Sequence, residues 1–542
     1  MYKLFLNVHH QLSAPERKRL YLLTACQAII CIADLSALAL LVLAAGTLHQ
    51  PSPFIDQLNS TPVVFFSILL MVFVLKNYFA FVVQQYQFRL VYNIAARLSK
   101  QGLEQFLSGP YEDYTDIDSS VWVRRISQQP IEFAQYLLTG FQTMFTECLL
   151  VAGATTLLLV FNAPLFLLLL SMLFPAMLAV LYFTRKRLQH VRSSIKKNSE
   201  LNLQFLQESL HGYVESNLFG KQDFFSERYG RQQEQLNHHL ARLQSTNLLP
   251  SRMMESFAVA GLCLLAILQF SGVTASMFSI LTLGAFFAGA YKLIPGIVRI
   301  INARNSIKTF AFAAQNLAEG TVKKEKEPLN KAALRSIAFQ HVSLRISDSM
   351  ILEDVNFQLE AGSLTGMTAP SGKGKTSLVN LLLGFRETSS GKIFFNDIEV
   401  EAGERKTYWN RISYVKQQPF VLHDTLEQNI TLETTAAHGS VDRVTRLTRM
   451  HDWLQQDAAA TSITEGGKNI SGGQQQRIAL ARALHKDADC YILDEPFHAL
   501  DTTATDQLLD HLEELATAGK MILVISHDPL TIQRCQKIIT LS

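Results

Sequence analysis

Long apolar stretches dominate the chain up to about residue 300, and the remainder alternates short apolar runs with polar segments. A helix needs about twenty apolar residues to cross the hydrocarbon core of a membrane. The stretches that approach this length are Leu20–Leu48, Pro62–Val83, Gln135–Phe161, Leu165–Thr184, Ser256–Phe270 and Met277–Val298. The pattern therefore predicts six membrane-spanning helices.

Lys and Arg residues flank alternate ends of these stretches. They lie before the first stretch and after the second, fourth and sixth, whereas the loops "HQPSPFIDQLNST", "NAP" and "SGVTAS" contain none. Basic residues concentrate in cytoplasmic loops. We therefore expect both termini, and everything that follows the sixth stretch, to be cytoplasmic. The polar start of the chain leads into a stretch long enough to span, which favours a retained helix over a cleaved signal peptide.

Two long polar segments, residues 84–134 and 185–254, lie between predicted spans on the cytoplasmic side. Their apolar residues recur at helical spacing, so we expect the spans to continue as helices beyond the membrane. The charged run "EKEPLNKAAL" is typical of a linker. These features predict a membrane domain over 1–324, a linker over 325–334 and a second domain over 335–542.

Composition excludes several function classes. The formal charge of +3 among 542 residues gives no support to nucleic-acid binding, and 48% of the residues are hydrophobic. The six cysteines form no C-x-x-C pair and no metal-ligand spacing. They fit a reduced cytosol and a lipid environment better than a disulfide framework.

A phosphate-binding motif follows an apolar strand in the second domain. Strand "LTGMT", loop "APSGKGKTS" and helix "TSLVNLLLGF" have the context that the pattern G-x-x-x-x-G-K-[ST] requires, with Ala369 at the first glycine position. Backbone N–H groups near Gly372 and Gly374 would cradle phosphate oxygens, while Lys375 and Thr376 would bind phosphate and Mg²⁺. The candidate loop is Ala369, Pro370, Ser371, Gly372, Lys373, Gly374, Lys375, Thr376 and Ser377.

A second motif, "CYILDEP", is an apolar strand that ends in two carboxylates. Asp494 is suited to the Mg²⁺ shell, and Glu495 is suited to polarise an attacking water. Two adjacent acidic residues at the end of a strand are often only solvent-exposed and have no catalytic role. The phosphate loop upstream favours the catalytic interpretation here.

The tract "NISGGQQQR" resembles the signature of the ABC transporter family. In that family two ATPase domains sandwich each ATP, and the resemblance implies that Ser471, Gly472, Gly473 and Gln474 contact nucleotide on a partner subunit. It also identifies Gln417, in "SYVKQQPF", as the glutamine that senses Mg²⁺.

Two further motifs complete this resemblance. "HALD" is similar to the family's D-loop, with Asp501 at the dimer interface, and "LVISHD" to its switch region, with His527 at the γ-phosphate. The layout resembles an exporter half-transporter: an α-helical six-span membrane domain fused to an α/β P-loop ATPase domain with an ABC helical subdomain. ATP, Mg²⁺ and a second copy of the chain are implied as partners.

Two positions depart from the family pattern. An alanine at position 369 is tolerable if its φ is negative. Ile346 aligns with the aromatic residue that stacks on adenine in the family. Because an isoleucine has no aromatic ring, we expect adenine binding to be weaker by ~1 kcal/mol, by analogy with aromatic pairs. A shifted alignment is the alternative.

The expected function is an ATP-driven exporter or flippase in a bacterial inner membrane. The amphipathic cargo would be a peptide, a lipid or a lipid-linked glycan. Charged residues inside spans are candidate substrate ligands, here Asp34, Glu147 and Lys292, unless they pair between helices or extend to an interface. An ATP-gated channel or regulator on the same fold is the alternative function, and an intact Glu495 favours the pump.

Overall fold

A computed structural model describes residues 1–47, 62–161, 163–270, 280–314, 332–346, 348–370, 372–433, 441–454 and 462–541. The chain divides into two compact units. The first, here called the helical unit, contains Met1–Gly109 and Asp113–Lys323, and the second, the α/β unit, contains Pro110–Glu112 and Lys324–Ser542. The boundaries expected at 324 and 335 stay predictions.

The helical unit consists of long α-helices joined by short ones. Its helices are α1 (Tyr2–His10), α2 (Ala14–Thr47), α3 (Pro62–Ser108), α4 (Tyr111–Asp116), α5 (Ser119–Val123), α6 (Gln129–Glu132), α7 (Thr139–Phe161), α8 (Ala163–His211), α9 (Tyr213–Leu218), α10 (Gln222–Phe270) and α11 (Ile280–Thr309). Two π-helical stretches, Arg124–Gln128 and Phe133–Leu138, flank α6. Residues 110–112, at the start of α4, group with the α/β unit.

The long helices continue well beyond the apolar stretches. The helical spacing of apolar residues within the two long polar segments predicts this continuation. Helices α8 and α10 contain 49 residues each. At 1.5 Å per residue each helix is about 73 Å long, more than twice the roughly 30 Å of a hydrocarbon core.

Among the described residues, two stretches have the length and the apolar composition needed to cross a membrane, Ala14–Ser36 and Ser119–Val160. The other predicted spans also fall on long helices, apart from residues outside the described ranges. The count of six spans therefore stays a prediction.

A buried ion cluster connects separate segments of the helical unit. Arg124 is fully buried, and its guanidinium lies 3.0 Å from the Glu132 carboxylate and 3.9 Å from that of Glu200 on α8. The central carbon of the Arg124 guanidinium lies 4.9 Å from the centre of the Phe312 ring. Phe312 follows the end of α11. Because a buried charge needs nearby partners, this cluster holds three distant stretches of sequence together.

The α/β unit contains two sheets. An antiparallel sheet has the order β2-β1-β4-β5, and a parallel sheet has the order β6-β7-β8-β3-β9. Their strands are β1 (Ser336–Ile346), β2 (Ser349–Glu360), β3 (Leu364–Thr368), β4 (Ser390–Phe395), β5 (Ile398–Glu399), β6 (Ile412–Val415), β7 (Cys490–Asp494), β8 (Met521–Ile525) and β9 (Lys537–Thr540). Every residue of β7 and β8 is buried, which is typical of parallel strands covered on both faces.

Helices cover the sheets and also form a separate small layer. The helices are α12 (Lys375–Leu382), α13 (Ala402–Arg405), α14 (Leu426–Thr431), α15 (Asp442–Leu447), α16 (His451–Leu454), α17 (Gly472–His485), α18 (Thr502–Thr517) and α19 (Pro529–Gln533), with 3₁₀ turns at Lys406–Arg411 and Glu465–Gly467. Between β6 and β7, the segment with α14 to α17 has its own apolar core, which includes Leu426, Ile463 and Ile478. This segment is the expected helical subdomain.

We predict that Arg124→Ala destabilises the protein by about 3–5 kcal/mol, because it leaves the Glu132 and Glu200 carboxylates without their buried cation. Thermal unfolding of the purified full chain measures the effect. The matched control is Arg231→Ala, which removes an exposed pair to Glu227 and should cost less than about 1 kcal/mol. Equal shifts for both variants would show that the buried cluster is not a stabilising contact.

Candidate nucleotide-binding site

The parallel sheet brings the predicted motifs to one edge. Strands β7, β8 and β3 are neighbours, with Leu493 opposite Val524 and Ile525 opposite Met367. Strand β6 pairs with the other side of β7. Since the carboxyl ends of parallel strands lie at the same edge, the segments that follow these four strands meet there, where α/β folds bind their ligands.

The phosphate loop has the backbone that the motif predicts. Gly372 and Gly374 have φ values of 81° and 80°, which favour glycine, and Gly374 caps the start of α12. A Cβ at Gly374 would lie 2.7 Å from Leu352 Cδ2 and 3.1 Å from the Ile351 carbonyl oxygen, so the position has no room for a side chain. A Cβ at Gly372 would meet nothing within 4 Å, which leaves that side of the loop open to a ligand.

The other loop residues divide into exposed and buried ones. Pro370, Lys373 and Thr376 are exposed and Ser377 is half-buried, whereas Ser371 lies outside the described residues. Ala369 is 4% exposed, has no positive φ, and packs in the apolar core beneath the loop. Its methyl group therefore fits where the family pattern has glycine.

Three predicted residues from three segments form one polar cluster. The Lys375 ammonium is hydrogen-bonded to His527 Nε2. Glu495 Oε1 lies 3.9 Å from Lys375 Nζ and 3.7 Å from His527 Nε2. A cation at the start of α12 thus faces a carboxylate and an imidazole across the sheet edge.

Asp494 and Glu495 are adjacent in the chain at the end of β7. Burial raises the pKa of Asp494 above its usual range and Glu495 raises it further, while Lys375 and His527 oppose the shift. Glu495 has a φ of 48°, rare for a residue with a side chain, and its buried Oε1 accepts no hydrogen bond from the described residues. This orphaned oxygen fits a site that is completed by a cation or by water.

The predicted metal ligands come from separate elements of this edge. Thr376 lies in the first turn of α12, Asp494 ends β7, and Gln417 lies on an exposed bend two residues beyond β6. The described residues contain no group of three or more His, Cys, Asp or Glu side chains that could hold a metal ion. A Mg²⁺ ion held by these three side chains would complete its six oxygen ligands with phosphate and water, as Mg²⁺ commonly does.

The signature tract begins a helix. Ser471 caps α17: its hydroxyl accepts a hydrogen bond of 3.2 Å from the Gln474 N–H, and the Gln474 side chain accepts one of 2.8 Å from the Ser471 N–H. A Cβ at Gly473 would lie 2.6 Å from the Ala499 carbonyl oxygen, whereas one at Gly472 would meet nothing within 4 Å. Close packing therefore requires a glycine at position 473 but not at position 472.

Asp501 forms contacts within its own chain. It caps α18 by accepting a hydrogen bond of 2.8 Å from the Ala504 N–H, and this bond lowers the pKa of its carboxyl. Arg477 on the signature helix donates a 3.0 Å hydrogen bond to the same carboxylate. The contact joins the signature helix to the D-loop segment, and sequence reasoning missed Arg477, since its only signal was its place in "QQQR".

Ile346 ends β1 and is half-buried against the core that also contains Ala369. Ile351 packs on the same core, and a Cβ at Gly374 would lie 3.1 Å from its carbonyl oxygen and 3.2 Å from its Cγ2. The sequence between these two isoleucines, "SDSM", contains no aromatic residue. An aliphatic surface thus lies beside the phosphate loop.

Two charged residues predicted as substrate ligands form ion pairs between helices. Asp34 on α2 pairs with Lys76 on α3, and Glu147 Oε1 lies 2.8 Å from Arg299 Nε on α11. The side chain of Lys292 lies outside the described residues. Pairing is the alternative that the sequence left open, so substrate contact by these residues stays a prediction.

Comparisons with known proteins agree with the motifs. Residues 352–498 match the family described as "ABC transporter", and residues 30–291 match the "ABC transporter transmembrane region". The fold resembles a solved bacterial Atm1-family ABC exporter with ATP bound, with a TM-score of 0.80, 17% identity, and coverage of 98% of this chain and 94% of that one.

Curated relatives are similar over most of the chain. An ATP-dependent lipid A-core flippase of Legionella pneumophila (strain Paris) is 27% identical over 80% of this chain and 74% of its own length. The flippase of the same name from Nitrosococcus oceani is 27% identical over 72% of this chain and 65% of its own length, slightly under two thirds. The heterocyst differentiation ATP-binding protein HepA of Nostoc sp. is 26% identical over 83% and 75%.

The two signature glycines give a matched pair of variants. Gly473→Ala should lower the free energy of unfolding by about 1–3 kcal/mol, because the new methyl group collides with the Ala499 carbonyl oxygen. Gly472→Ala should leave it unchanged or raise it by up to about 1 kcal/mol, since that position is open and helical. Thermal unfolding of the full chain measures both, and equal responses would contradict the packing described here.

Proposed function

Because the chain belongs to the ABC transporter family, we propose that it is an ATP-driven exporter or flippase for an amphipathic substrate. The observation that carries the proposal is the cluster of Lys375, Glu495 and His527 beside Asp494 at the end of the parallel sheet. These groups have the types and the order along the chain that ATP hydrolysis by this family requires.

Each residue of the cluster has a role that its surroundings support. Lys375 and the N–H groups near Gly372 and Gly374 bind phosphate oxygens. Thr376, Asp494 and Gln417 hold Mg²⁺, which neutralises phosphate charge when bound. Once Lys375 engages phosphate, Glu495 is free to accept a proton from the attacking water. His527, no longer accepting a hydrogen bond from Lys375, then carries its proton on Nε2 and donates a hydrogen bond to the γ-phosphate.

The working form is a homodimer, in which the signature of one copy closes on the phosphate loop of the other. Ser471 and Gly472 support this assignment because both are exposed at the start of α17, where backbone N–H groups attract an anion. Asp501 lies at the same interface. Two intact copies of Glu495, His527 and the signature make the two ATP sites of such a dimer equivalent.

The cargo is an amphiphile, and the names of the relatives favour a lipid-linked molecule over a peptide. The protein lies in a bacterial inner membrane, with both termini and the α/β unit in the cytoplasm. An ATP-gated channel on the same fold is the competing function. Glu495 favours the pump, because a gate can operate by binding ATP without hydrolysing it.

We predict that Glu495→Gln lowers ATPase activity at least about 100-fold, the usual scale for loss of a general base. ATP should stay bound through gel filtration of the purified variant, because binding does not need the carboxylate. Glu514→Gln, an exposed glutamate on α18, is the matched control and should keep normal activity. Undiminished hydrolysis in Glu495→Gln would rule out Glu495 as the base.

The substitution Ile346→Tyr tests the part of the site that would contact adenine. An aromatic ring should tighten ATP binding about fivefold, or ~1 kcal/mol, if residue 346 faces adenine. Titration with ATP and GTP would measure both the affinity and the selectivity. Ile398→Tyr, at an exposed position of β5, is the control. Equal affinities for all three proteins would place the adenine contact at another residue.

A further inference from the structure

A buried arginine of the helical unit faces two carboxylates that lie on different helices. Arg124 Nη2 donates hydrogen bonds of 3.2 Å and 3.0 Å to the two carboxylate oxygens of Glu132. Its Nη1 is buried, has no hydrogen-bond acceptor among the described residues, and lies 3.9 Å from Glu200 Oε1 on α8. Because a charge-assisted hydrogen bond is about 2.7–2.9 Å long, a shift of roughly 1 Å would join the guanidinium to Glu200. One contact is thus formed, and a second is nearly within reach.

The helix that carries Arg124 and Glu132 departs from α-helical geometry beside both residues. Arg124 begins the π-helical stretch Arg124–Gln128, and Glu132 directly precedes the stretch Phe133–Leu138. In a π-helical turn the hydrogen bonds join residues five positions apart, so a change to α-helical bonds turns the neighbouring side chains about the helix axis. Both residues therefore lie where the hydrogen-bond ladder of the helix has an alternative arrangement.

Polar atoms around this ion pair are incompletely satisfied by the arrangement described. Arg124 is fully buried, yet its Nε also has no acceptor among the described residues. Gln129, between the two π-helical stretches, is 1% exposed, and its Oε1 accepts no hydrogen bond from the described residues. Native proteins pair nearly all such buried atoms. The unmatched atoms favour a segment with more than one arrangement over a fixed structural contact.

The residues that follow α11 pack on the same segment. The Phe310 ring stacks on the Tyr136 ring with 3.8 Å between their centres, and the Gln129 side chain donates a 3.1 Å hydrogen bond to the Ala313 carbonyl. Phe312 lies against the Arg124 guanidinium. These residues begin the stretch of chain that leads in sequence to the ATPase motifs. A movement of Arg124 between its two partners would therefore act on that stretch.

We propose that Arg124 is a switch residue, which exchanges its buried ion pair between Glu132 and Glu200 as the protein binds and releases ATP. The exchange lets the two predicted cytoplasmic segments, 84–134 and 185–254, shift by roughly 1 Å relative to each other without leaving the buried cation unpaired. ATP drives the exchange only if it binds the two arrangements with different affinities. This assignment rests on the proposed function, which supplies ATP as the ligand.

The test compares two isosteric substitutions, Glu132→Gln and Glu200→Gln, in the full chain. Each removes the charge from one partner of Arg124 and so favours the arrangement that uses the other. The affinity for the non-hydrolysable analogue AMP-PNP is measured by calorimetric titration of the protein in nanodiscs. The two variants should change the dissociation constant in opposite directions, each about fivefold, which corresponds to ~1 kcal/mol.

Three further variants control this measurement. The double variant with Glu132→Gln and Glu200→Gln favours neither arrangement, so its affinity should return to within about twofold of the parent value. Glu227→Gln, whose exposed carboxylate pairs with Arg231 on α10, is the matched control for a lost charge and should change nothing. Glu132→Asp keeps the charge but withdraws it by one methylene group. It should act in the same direction as Glu132→Gln, and it carries the test if that variant does not fold.

A fixed structural cluster gives a different result. Glu132→Gln and Glu200→Gln would then change the affinity in the same direction or not at all, and either outcome would overturn the proposal. The titration needs neither hydrolysis nor transport, so its result is separate from that of the proposed function. Failure of the proposed function would appear instead as an ATPase activity insensitive to Glu495→Gln.

Discussion

The parallel register of β3, β7 and β8 is the constraint on which the nucleotide site depends. It places the loop after β3, the carboxylates that end β7 and the histidine that follows β8 at one edge. Each of the side chains of Lys375, Glu495 and His527 then lies within 4 Å of the other two, although more than 150 positions separate Lys375 from His527 in the sequence. Asp494 is buried beside them, and burial raises the pKa of its carboxyl.

Much of this site could be predicted because its motifs are local. A strand followed by glycines and a helix specifies the phosphate loop, and the carboxylates follow a buried strand directly. The Arg477–Asp501 bond, the contact of Gly473 with Ala499 and the burial of Arg124 could not be predicted. Each depends on partners brought together by packing, and neither spacing nor residue type identifies them.

The helical unit shows the same division between local and distant signals. Apolar length and helical spacing predicted its long helices, but these signals could not separate paired charges from unpaired ones. Glu147 and Asp34 were the more conspicuous candidates, and both are paired across helices.

In the proposed function, ATP hydrolysis at the sheet edge drives an amphiphile out of the cytoplasmic leaflet. The most direct measurement is transport of a fluorescent anionic phospholipid in proteoliposomes with the ATPase units outward. The account predicts ATP-dependent accumulation in the inner leaflet beyond the equilibrium distribution. Equilibration to equal concentrations, whether or not ATP is hydrolysed, would contradict it and identify a channel or scramblase.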